Sequence, residues 1–191
     1  MSERYHKPKI AAAPQGARLA GHDLAALAAE VISKSGTFSF QATGASMAPT
    51  IRSGESVLVR SYEFDKLKPG DIVMAYPPSG LIIVHRVVGR TLIGEEQAVI
   101  TMGDNSAATD LPLTESEILG RVVAVLSRGR KADLQGRFCA GGGRLLALVE
   151  MRRIRMSGSV SQQRWRRRLL TASRLLLKRA LRLEMRLQAR P

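Results

Sequence analysis

The stretch "DIVMAYPPSGLIIVHRVVG", Asp71 to Gly89, decides the fold class. Two β-branched runs flank "PPSG", a turn signal. The second run is apolar on both faces of a period-two reading, so it predicts a central strand. Working outward, "FSFQA", "SVLVR", "AVITM" and "ILGRVVAVL" repeat the pattern, separated by "SGE", "KPGD" and "MGDN". Strands this frequent, with no helical period between them, predict a mainly β domain: a compact twisted sheet or partial barrel.

The flanks differ. Before the strands, "DLAALAAEVISKSG" predicts a short helix with Asp23 as N-cap, a Leu24, Leu27, Val31 and Ile32 stripe, and Gly36 as stop. After them, "CAGGGR" predicts a Gly-rich hinge. Beyond it Trp165, Leu169, Ala172, Leu176, Ala180, Leu183 and Leu187 advance by threes and fours, which predicts a helix with one apolar face. The expected organisation is an N-terminal segment with a short helix (1–36), a β domain (37–130), and a hinge with a basic amphipathic helical tail (131–191).

The chain has 191 residues and a formal net charge of +14. Residues 150–191 carry 13 Arg or Lys against Glu150 and Glu184, so the basic character belongs to the tail. Such a tail predicts a polyanionic partner. A single cysteine, Cys139, excludes an internal disulfide and a Cys/Cys metal site, and no cofactor or metal is expected. No apolar run approaches the ~20 residues of a membrane-spanning helix. The N-terminus has early charges without the apolar core of a secretory signal.

His85 lies inside the predicted central strand, where an imidazole must be paired or used. Ser46 lies in the Gly-containing bend of "GASMAPT", after a predicted strand. A serine hydroxyl is a weak nucleophile until a base takes its proton. Asp104 and Asp110, in "MGDNSAATD", are carboxylates that could orient the imidazole. A Ser–His–Asp set is therefore available, although residue types alone favour Ser46 as a turn serine and His85 as a core histidine.

In order, "GASMAPTIRSGESVLV", "KPGDIVMAY", "IVHRVVG" and "MGDNSAATD" resemble the boxes of the signal peptidase I superfamily, which includes LexA-like self-cleaving repressors. The resemblance covers roughly residues 38–125. It implies that Ser46 is the nucleophile and that His85 stands where bacterial members carry a lysine base, as in the Ser/His branch of the family. It implies Asp110 as the triad aspartate, with Asp104 as a supporting or alternative partner. It also implies an oxyanion held by backbone N–H groups at the Gly44–Ser46 bend, since some bacterial members carry a hydroxyl where this chain has Gly44.

The expected activity is serine endopeptidase action on an extended peptide or protein precursor. The alternatives are a LexA-like regulator or an inactive peptide-binding module with a nucleic-acid-binding tail. No anchor precedes Ser46, so the expected location is cytoplasmic and peripheral on the membrane. An anionic membrane surface is the expected partner of residues 150–191, ahead of nucleic acid.

Overall fold

The computed structural model describes residues 21–127, 130–135, 137–155 and 164–188. Among these residues, eight strands form one antiparallel sheet: β1 (Thr37–Gln41), β2 (Ser56–Arg60), β3 (Ile72–Ala75), β4 (Ile83–Ile93), β5 (Glu96–Met102), β6 (Leu113–Thr114), β7 (Ile118–Ser127) and β8 (Arg130–Asp133). Their order is β1-β2-β7-β3-β4-β5-β6, with β8 also on β7. The ladder shifts register at Leu58/Val59, Met74/Ala75 and Val87/Gly89. Bulges of this kind bend strands and raise local twist, and the sheet curls into a half-barrel.

The strands follow the β-branched runs, and the mainly β expectation holds. β4 is buried over His85, Arg86, Val87 and Val88, so neither face of its centre meets water. One core gathers Val73, Ala75, Val87, Val99, Phe64 and Leu67, and another gathers Ile32, Val57, Val59, Met74 and Val125.

Among the described residues, three α-helices lie against this sheet: α1 (Gly21–Ser35), α2 (Arg137–Arg155) and α3 (Arg164–Gln188). α1 ends as the sequence predicts. Gly36 takes φ +73° and gives its N–H to the Ile32 carbonyl at 2.8 Å. The buried stripe differs from expectation. Ala25, Ala28 and Ile32 are buried while Leu27 is exposed. Small alanines let α1 approach the sheet closely, and Gly120 of β7 leaves room for Ile32, whose Cδ1 would lie 3.2 Å from any Cβ at that glycine.

The expected hinge is a helix. Gly141, Gly142 and Gly143 lie within α2. Two of them serve close packing: a Cβ at Gly143 would lie 3.0 Å from both Arg86 Nη1 and the Gly70 carbonyl oxygen, and one at Gly142 would lie 3.3 Å from Leu181 Cδ1, while one at Gly141 would meet open space. Gly70, at φ +105°, reciprocates, since a Cβ there would strike the backbone of Gly143 and Arg144.

The tail holds the larger surprise. Leu176, Leu183 and Leu187 of the predicted apolar face are exposed, and Ala180 with them. The side chains of Trp165, Leu169 and Ala172 lie outside the described residues. The buried face of α3 is instead Lys178, Leu181, Arg182 and Met185, with Arg174 partly buried beside them. Among the described residues, no helix is long and apolar enough to cross a membrane.

Candidate active site

Between β1 and β2 the chain makes a turn over residues 46–50. Met47, Thr50 and Ile51 are buried and anchor it, which leaves Ser46 exposed. The Ile51 N–H reaches the Met47 carbonyl at 2.9 Å and the Ala48 N–H reaches Ala45 at 3.1 Å.

His85 and Arg86 are neighbours on β4 and serve two different carboxylates. His85 Nδ1 lies 2.6 Å from Asp110 Oδ2. Thr101, on β5, fixes that carboxylate: its hydroxyl donates to the same Oδ2 at 2.7 Å, and the Asp110 N–H donates to the Thr101 carbonyl at 2.9 Å. With Nδ1 engaged, the free imidazole nitrogen is Nε2. It faces Gly103, where an added Cβ would lie 3.0 Å from Nε2 and 2.8 Å from the Ser46 carbonyl oxygen, and would collide with Ser106 Oγ. The Asn105 N–H also donates to the Ser46 carbonyl at 2.6 Å. The Ser46 turn, the imidazole and the 103–106 loop thus meet at one point, and only a glycine fits there.

Asp104 stands apart. Arg86 holds it with Nε–Oδ1 at 2.8 Å and Nη2–Oδ2 at 2.7 Å, and Thr50 donates to Oδ2 at 2.5 Å. Burial alone would push this carboxyl up. The Arg86 charge and hydrogen bonds, the Thr50 hydroxyl and the Lys178 charge outweigh that and hold it below the usual carboxylate range. Of the two candidate aspartates, the structure brings Asp110 to His85 and gives Asp104 to Arg86.

Two arginines of α3 grip the loops around Ser46. Arg174 Nη2 donates to the carbonyls of Asp104 at 2.9 Å and Ser106 at 2.8 Å, while its Nε meets Glu150 of α2. Arg182 Nη1 donates to the Thr50 carbonyl at 3.0 Å, and its Nη2 meets Glu55. Burial pushes the Glu55 carboxyl up, but its bonds to Arg182 and to the Arg52 N–H leave it lowered overall. Sequence reasoning passed over Thr101, Ser106, Arg174 and Arg182. Thr101 carries a signal, a hydroxyl inside the apolar run "AVITM". Arg174, Lys178 and Arg182 share one helix face at spacings of four, which a solvated face would show equally.

The family comparison supports a signal peptidase-type domain in general. Residues 22–108 match the family model described as signal peptidase, peptidase S26, so this span is similar to that family and supports the resemblance to the signal peptidase I superfamily. The matched span holds Ser46, His85 and Asp104 and stops two residues before Asp110. No curated protein matches the chain.

Proposed function

We propose that this chain is a serine endopeptidase in which Ser46 is the nucleophile, His85 the general base and Asp110 the group that orients the imidazole. The observation that carries this reading is the 2.6 Å His85–Asp110 contact, with Nε2 left free on the side where the Ser46 turn lies. Asp110 accepts from Nδ1–H and so holds the tautomer whose Nε2 can take a proton. The Ser46 Oγ attacks the scissile carbonyl while Nε2 receives its proton. The imidazolium, stabilised by Asp110, then protonates the leaving amine. Water repeats the sequence to release the acyl group. Backbone N–H groups at the Gly44–Ser46 bend receive the oxyanion, each such donor being worth about 10²–10³-fold. Asp104 takes no part in proton transfer on this reading; a carboxylate held by two guanidinium bonds is a fastener for its loop.

The substrate is an extended peptide. β1 is the end strand of the sheet and leads directly into the Ser46 turn, so a peptide added along its free edge would carry its backbone towards Oγ. The exposed leucines and arginines of α3 support an anionic membrane surface as the place where such precursors are met.

The test is cleavage of a library of extended peptides with small residues before the bond, followed by mass spectrometry. Wild type is expected to cleave, and Ser46→Ala to leave no cleavage. His85→Ala and Asp110→Asn are each expected to lose about 10²–10⁴-fold. Unchanged cleavage by Ser46→Ala would sink the assignment. A folded wild type that binds these peptides without cutting them would make the domain a binding module.

A further inference from the structure

A cavity of about 760 Å³, which Ser46 does not line, lies between β8, the loop entering β2 and the last turns of α3. Its size is that of a small-molecule site. Its wall is unusual in charge: Arg52, Arg130, Arg182 and Arg186 line it against the single carboxylate of Glu55. Glu55 is already taken by Arg182 and by the Arg52 N–H at 2.9 Å. The side chains of Arg52, Arg130 and Arg186 form no ion pair among the described residues. Arg182 Nε is buried without an acceptor among them. Three uncompensated guanidiniums around one cavity repel one another, and a wall so lined gains by admitting an anion.

We propose that this cavity is a binding site for a phosphate-type anion. Guanidinium forks match tetrahedral oxyanions and donate to several of their oxygens at once. The Ser53 hydroxyl lines the same wall and supplies a further donor. Two sources of this chemistry exist, a phosphate free in solution and the headgroup of an acidic phospholipid. On α3, Arg186 is flanked by the exposed Leu183 and Leu187, so apolar surface stands next to the mouth. The site is separate from the peptidase assignment, and its test involves no cleavage.

The experiment titrates the full chain with two probes. Inorganic pyrophosphate is followed by calorimetry. Vesicles of phosphatidylcholine, with and without phosphatidylglycerol, are followed by co-sedimentation. Wild type is compared with Arg130→Gln/Arg186→Gln, which strips two cavity arginines, and with Arg144→Gln/Arg179→Gln. The second pair removes the same charge from exposed positions off the cavity. The expected result is saturable binding to wild type, weakened about tenfold or more by the cavity pair and at most about twofold by the control pair. Weakening in the pyrophosphate arm assigns a soluble phosphate, and weakening confined to phosphatidylglycerol vesicles assigns a lipid headgroup. Equal weakening by both pairs, or no binding of either probe to wild type, overturns the proposal.

Discussion

At the centre of the sheet, Val73, Met74 and Ala75 of β3 are fully buried among other apolar side chains. On α3 the inward side chains include Arg174, Lys178 and Arg182, and the leucines at 176, 183 and 187 face water. The sheet is assembled by removing apolar area from water, which needs no particular partner. On α3 the buried Leu181 and Met185 join the core, and beside them guanidinium groups donate to named carbonyls and carboxylates, which works only if every partner is in place. The lesson is about specificity. A face chosen by hydrophobicity tolerates repacking, whereas a face chosen by charge fails when one group is removed.

The sharpest way to break this comparison is Asp104→Asn. It leaves Arg86 buried, at 3% side-chain exposure, without its counter-charge. Loss of one partner of such a pair is expected to destabilise by about 3–5 kcal/mol, measured by urea unfolding. A loss below 1 kcal/mol would mean that the Arg86 network is dispensable. Next comes Arg174→Ala, which frees the carbonyls of Asp104 and Ser106. A loss of about 1–3 kcal/mol is expected, together with faster hydrogen exchange at the Asn105 amide and unchanged protection in β3. Arg174→Lys should restore stability in part. Uniform loss of protection across the sheet would contradict a local grip.

Acid provides a graded version of the same test. Asp104 and Glu55 both have lowered carboxyl pKa values in the fold. A carboxylate with a depressed folded-state pKa contributes stability that is present above its ordinary range, about pH 4, and lost as pH falls through the folded value. Unfolding midpoints should therefore hold from pH 7 to about 5 and decline below about 4. The Asp104→Asn variant should decline less. The smallest effect is expected from Leu183→Ser on the outward face: within about 0.5 kcal/mol of wild type in stability. A larger loss would show that the face is covered.

The same contrast explains what could be read from the chain. β-branched runs gave the strands because burial in a sheet obeys a period of two. Ser46, His85, Asp104 and Asp110 were candidates because ordered motifs resemble those of one family; the structure puts His85 on β4 and the other three in loops beside it. The choice between Asp104 and Asp110 was not legible, since the two stand six residues apart in one loop and only geometry tells which imidazole or guanidinium each meets. The helical glycines of α2 looked like a hinge because a glycine needed for close approach is identical in sequence to one needed for freedom. The leucine stripe of α3 was legible as a stripe. Its direction depended on Glu55, Glu150 and the three backbone carbonyls of Thr50, Asp104 and Ser106.

The order in which the chain leaves the ribosome gives the α3 grip a further meaning. Every strand of the sheet is synthesised before Arg174 and Arg182 appear, so the loops around Ser46 can form while their last fasteners are still inside the exit tunnel. A chain at that stage would be a folded sheet whose 103–106 loop still lacks the Arg174 contacts. A chain ended after residue 163 is the test. It is expected to keep the protection of β3 and lose that of the Asn105 amide, and equal protection at both would refute the idea.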